Sequence, residues 1–169
     1  MPRVHVCSLA RIDEIASASG ARSMVTLINV GTPVERPACI APERHLFIGM
    51  SDIAHPVQGL VAPDVAHVET LLSFVRAWDR REPLLIHCWA GVSRSTAAAF
   101  VTACALNERR AEDEIAATIR AASPTATPNP RFVAIADERL GRGGRMVAAI
   151  RAIGRGEDCF EGVPFALRL

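Results

Sequence analysis

The chain has 169 residues, half of them hydrophobic and 22% charged, which is the size and balance of one domain with a single sizeable core. Its formal net charge is +1 and every basic residue is Arg, so no bulk field draws it to nucleic acid or to a membrane surface. Five cysteines without a C-x-x-C pair argue against a disulfide framework or a zinc site, and no apolar stretch reaches the about 20 residues of a membrane span. The N-terminus lacks the apolar core of a secretory signal, and the expectation is a reduced, cytoplasmic protein.

In chain order, residues 4–9 alternate loosely and predict a first strand, and residues 11–18 a short helix ended by Ser19-Gly20. Residues 24–30 form a continuous β-rich apolar run closed by Gly31-Thr32-Pro33, the pattern of a buried strand. Two prolines, Pro37 and Pro42, make residues 34–44 a loop, and residues 45–50 resume a strand that leads into Ser51-Asp52. From Pro63 the period changes: Val65, Val68, Leu71, Leu72, Val75 and Trp78 recur at helical spacing, until Pro83 prevents continuation. Residues 84–87 read as a short buried strand. Residues 95–106 are apolar on nearly every face, as in a helix covered on all sides. Further helices are predicted at 112–121, 130–140 and 146–153, so the C-terminal third reads as helical, ending in a glycine-rich turn before Val163-Pro164-Phe165. Strands alternating with helices, with no repeat and no second unit, predict one α/β domain over residues 1–169.

Between the strand at 84–87 and the central helix lies the segment His87-Cys88-Trp89-Ala90-Gly91-Val92-Ser93-Arg94-Ser95. A helix N-terminus offers unsatisfied N–H groups and the positive end of the helix dipole, and both favour an anion. Gly91 lets a compact loop aim successive N–H groups inward, and Ala90, Val92 and Ser93 are small enough to leave that cradle open. Arg94 adds a planar fork for two phosphate oxygens. The same field favours the thiolate of Cys88, placed for in-line attack on phosphorus. Ser95 is in position to donate a hydrogen bond to the Cys88 sulfur, and His87 to orient the loop backbone. Trp89 either stacks at the mouth of the pocket or packs. A bare C-x5-R match arises often by chance; His before Cys, Gly in the middle, Ser after Arg and the strand-to-helix setting are what give this one meaning.

That segment resembles the signature loop of the protein tyrosine phosphatase superfamily, in its small dual-specificity-like branch and most closely its small bacterial members. Two more segments carry the resemblance: residues 45–53, similar to the strand and acid-bearing loop of that branch, and Thr127-Pro128-Asn129-Pro130-Arg131-Phe132, similar to its proline-asparagine helix start. Together they span roughly residues 24–141 in the expected order. The resemblance implies a mainly parallel sheet of four to five strands flanked by helices, and a phosphocysteine intermediate with no metal or other cofactor. It implies a phosphorylated protein or a small phosphomonoester as substrate.

The superfamily uses an upstream Asp as general acid and then base. Asp52, just after a strand and 36 positions before Cys88, is the preferred candidate. Asp64, 24 positions before, starts a helix, where an acidic residue needs no catalytic reason. His55 lies close enough to assist, though a solvated loop histidine is the plainer description. Members acting on phosphoinositides carry Lys inside the signature loop, whereas Trp89, Ala90 and Val92 are uncharged. The chain also has no Tyr and is too short for the recognition loop of the large tyrosine-specific enzymes. The expected substrate is therefore phosphotyrosine in a shallow site, with phosphoserine or phosphothreonine as extensions. Two other classes stay open: a rhodanese-like sulfurtransferase, which also uses a cysteine loop at a strand-to-helix junction, and a non-catalytic phosphate-binding module.

Overall fold

The computed structural model describes residues 2–169. Strand β1 (Arg3–Ser8) leads through a turn of 3-10 helix into α1 (Ile12–Ser19), which stops at Gly20 in the left-handed region. Strands β2 (Ser23–Ile28) and β3 (His45–Gly49) follow, then helix α2 (Val65–Ala77) and strand β4 (Leu84–Cys88). Helices α3 (Arg94–Leu106), α4 (Glu112–Ala122), α5 (Pro130–Arg139) and α6 (Arg145–Ile153) precede strand β5 (Phe165–Arg168).

The sheet has the order β3-β2-β4-β1-β5. All its pairings are parallel except β5 against β1, which is antiparallel, with Phe165 opposite Val6 and Leu167 opposite Val4. Five strands, mainly parallel, meet the expected fold class. The expected all-helical C-terminal third needs correcting: the chain closes the sheet edge with β5. Four residues behind Val163-Pro164 carry little pattern of their own, and their strand exists because β1 offers an edge.

Period-two alternation divides the sheet into two cores. Val4, Val6, Val25, Leu27, Leu84 and Ile86 face the larger one, shared with α2 to α6. Cys7, Met24 and Leu85 face the smaller one, covered by Ile12 and Ala16 of α1 and by Ile40 of the proline-rich loop. The central strands β2 and β4 are buried along their whole length, which explains their unbroken apolar runs. Helix α3 is buried from Arg94 to Cys104 and runs through the middle of the larger core. Each large side chain buried there, such as Phe100 or Phe132, contributes about 1.5–3 kcal/mol. That burial fixes the start of α3, and with it the loop 88–94, against the carboxyl end of β4.

Candidate active site

Cys88 closes β4 and is buried. Its sulfur lies 3.1 Å from Ser95 Oγ and accepts a hydrogen bond from the Gly91 amide at 3.2 Å. The rest of the loop is tied down through its carbonyls. Trp89 O accepts from Leu9 N at 3.1 Å, and Ala90 O from Gly162 N at 2.8 Å. Val92 O accepts from Thr127 N at 2.9 Å, and Ser93 O from Asn129 N at 3.2 Å. In a trans peptide the C=O and the following N–H point in opposite directions. Carbonyls drawn outward therefore turn the amides of Ala90, Gly91, Ser93 and Arg94 inward, and the Gly91 amide on the Cys88 sulfur is one of them. Gly91 is required twice over: its φ is +72°, and a Cβ there would stand 2.8 Å from the Cys7 carbonyl carbon.

Arg94, the first residue of α3, is buried with its fork held from behind. Its Nη1 donates to Asn29 Oδ1 at 2.7 Å and to the Met50 carbonyl at 2.8 Å. Its Nε is buried with no hydrogen-bond partner among the described residues. A buried guanidinium donor left unpaired is costly, and an oxyanion in the loop would satisfy it. The only comparable side-chain atom among the described residues is Nε of Arg120, whose other nitrogens hold three carbonyls near α6.

His87 has a structural role whose tautomer follows from its neighbours. Burial pushes its pKa down to about 4, so the ring is neutral at pH 7. Nδ1 lies 3.3 Å from the Cys88 carbonyl oxygen and must carry the proton to donate there. Nε2 is then an acceptor for the Thr26 hydroxyl at 2.7 Å, and Thr26 Oγ1 accepts in turn from His45 Nε2 at 2.8 Å. A chain of defined donors thus runs from His45 through Thr26 and His87 to the peptide of Cys88.

The two candidate acids occupy different places. Asp64 caps α2: its carboxylate accepts the His67 amide at 3.1 Å, while His67 Nδ1 accepts the Asp64 amide at 3.1 Å. Asp52 faces the signature loop instead. Its Oδ1 accepts from Ser93 Oγ at 2.7 Å and from Asn129 Nδ2 at 2.8 Å. Asn129 is buried and also caps α5, accepting the Phe132 amide at 3.0 Å. A depression of about 340 Å³ beside the loop is lined by Asp52, Val92, Ser93, Thr127 and Asn129 together with Arg155 and Asp158. His55 is exposed on the loop after Asp52.

The structure thus brings together Cys88, Arg94, Ser95, Asp52 and the loop backbone, and leaves Trp89 61% exposed at the rim. Sequence reasoning missed Asn29 behind Arg94, Thr26 beneath His87 and the link of Asn129 to Asp52. Each partner lies between 61 and 77 positions away along the chain. A signal existed only for Asn129, in the proline-asparagine helix start.

No family profile and no curated protein sequence matches the chain. Among solved structures, the PTP-2 phosphatase of Cydia pomonella is similar with a TM-score of 0.63 at 20% identity, over 80% of this chain and 84% of that one. DUSP15 gives a TM-score of 0.64 at 18% identity, over 90% and 91% of the two chains. A human tyrosine phosphatase-like serine/threonine/tyrosine-interacting protein also reaches 0.64, at 14% identity, over 83% and 92%. Identities this low speak for architecture only. The chain has the fold of the dual-specificity branch of the protein tyrosine phosphatases.

Proposed function

We propose that the protein is a cysteine-dependent phosphatase that hydrolyses phosphotyrosine, and by extension phosphoserine and phosphothreonine, through a phosphocysteine on Cys88. The observation that carries this reading is the convergence of the Ser95 hydroxyl and the Gly91 amide on the Cys88 sulfur, in a loop whose Trp89, Ala90, Val92 and Ser93 carbonyls are bonded away from it. In the first step the Cys88 thiolate forms a bond to phosphorus while the phosphorus–oxygen bond to the leaving group breaks. The Arg94 Nε and the inward amides hold the equatorial oxygens as charge develops on them. Asp52 gives its proton to the leaving oxygen.

Ser93 and Asn129 both donate to Oδ1 of Asp52, so Oδ2 is the oxygen left to carry the transferable proton. Asn129 and Ser93 act as positioning residues in this account. In the second step water attacks phosphorus and gives a proton to Asp52. The phosphorus–sulfur bond then breaks, and Ser95 donates to the departing sulfur. Asp64 has no part in the chemistry, since its carboxylate belongs to the helix it starts.

The test is turnover of para-nitrophenyl phosphate with and without vanadate and a chelator. Activity blocked by vanadate and spared by chelator is expected; chelator-sensitive activity contradicts the thiolate mechanism. Sulfur transfer in place of phosphate release would favour the rhodanese-like alternative.

A further inference from the structure

The segment between α6 and β5, residues 154–164, is strapped against the signature loop. Arg120 holds its start, donating from Nη2 to the carbonyls of Gly154 and Ala126 at 2.8 Å each. Gly156 N donates to Thr127 Oγ1 at 3.0 Å, and Glu157 N to the Pro124 carbonyl at 3.0 Å. At the far end Gly162 N reaches the Ala90 carbonyl at 2.8 Å and Val163 N reaches Thr125 Oγ1 at 3.3 Å. A Cβ on Gly162 would stand 2.7 Å from the Gly91 carbonyl oxygen, so the strap lies directly on the loop. Phe160, between these anchors, is fully exposed. Anchors on both sides hold the backbone that carries this ring, so covering the ring costs little further chain entropy.

Beside it is a depression of about 290 Å³ lined by Ser8, Leu9, Ala10, Trp89, Phe160 and Glu161. Trp89 is the neighbour of Cys88, so this depression adjoins the phosphate loop. Two exposed aromatic side chains line it, and the Glu161 carboxylate accepts the Ser8 hydroxyl there. The chemistry selects one class of occupant. An acidic group would be repelled by Glu161, and an apolar group would strip water from that carboxylate without replacing it. A guanidinium or ammonium gains both the aromatic faces and the carboxylate. Arg11 lies within electrostatic reach of Glu161, but its fork is engaged by Glu14 through both Nε and Nη2.

We infer that this depression is a subsite for an Arg or Lys side chain flanking the phosphorylated residue of a peptide substrate. The inference rests on the phosphatase reading and adds a substrate class to it. The experiment uses two phosphotyrosine peptides, one with Arg on both sides of the phosphotyrosine and one with citrulline, the neutral isostere of Arg. For the wild type, kcat/KM is expected to favour the Arg peptide roughly tenfold. In Glu161→Gln and in Phe160→Ala the Arg-to-citrulline ratio should fall toward one. Taking the ratio within each variant cancels any change at the phosphate loop itself. Equal kcat/KM for the two peptides overturns the inference, as does an Arg preference that survives both substitutions. Affinities of Cys88→Ser for the same pair give the preference without turnover. A wild type inactive on para-nitrophenyl phosphate and on both peptides sinks the phosphatase reading, whereas an active wild type blind to citrulline sinks only the subsite.

Discussion

Asp52 and Glu161 both lie beside the signature loop and hold different relations to it. Asp52 is tied to the loop itself, through Ser93, and to the buried cap Asn129. Glu161 belongs to a strap whose hydrogen bond to the loop, Gly162 N to the Ala90 carbonyl, joins backbone to backbone, and its carboxylate is held by Ser8 at the end of β1. In the proposed reaction the first carboxylate is coupled to the phosphate cradle and the second stands at its border. On that reading, position relative to the loop separates a group suited to the reaction from a group suited to the substrate's neighbour. A third carboxylate sharpens the contrast: Asp64, on the same loop as Asp52, serves its own helix.

The largest break in this scheme is at the nucleophile. Cys88→Ser is expected to lower kcat by about 10^4-fold or more while phosphopeptide binding persists. On the acid side, Asp52→Asn should cost about 10²–10⁴-fold in kcat for phosphotyrosine, and much less for an ester with a good leaving group. Asp64→Ala is the control: unchanged turnover with a stability loss of about 1 kcal/mol, measured by urea denaturation. Reversal of these two outcomes would move the acid to Asp64.

The histidine chain beneath Cys88 gives a pH prediction. His87 is held neutral with a pKa of about 4, below its ordinary 6.5, by burial. The unfolded chain therefore takes up a proton at a higher pH than the native one, and stability falls as pH drops from 6.5 to 4. The contribution at stake is about 3 kcal/mol, complete above pH 6.5 and gone below pH 4. Denaturation midpoints of the wild type and His87→Asn at pH 7 and pH 4.5 measure it; identical slopes with pH would contradict the assignment. Thr26→Val is a smaller perturbation. It strips His87 Nε2 of its buried donor and should cost about 1–3 kcal/mol at pH 7.

Parts of this arrangement were legible in the sequence and parts were not, and the boundary is physical. The all-round apolar pattern of residues 95–106 specified a covered central helix, and the strand-loop-helix order around Cys88 located the cradle. Those signals are local. The short β5 was illegible because its strand depends on the edge of β1, more than 150 positions away. Gly156 and Gly162 read only as part of a glycine-rich turn, although they are needed because the strap presses on Thr125 and Gly91. Asp52 could be preferred over Asp64 from its place after a strand, but its partners Ser93 and Asn129 lie 41 and 77 positions away. Contacts of that range are made by the sheet and by α5, and no spacing rule encodes them.

The most direct measurement is mass analysis of protein quenched in acid during turnover of a phosphotyrosine peptide. The account predicts one phosphoryl group on the peptide that contains Cys88, absent from Cys88→Ser and accumulating in Ser95→Ala, whose second step lacks the donor to sulfur. A phosphoryl group on any other residue, or active turnover with none at all, would contradict it.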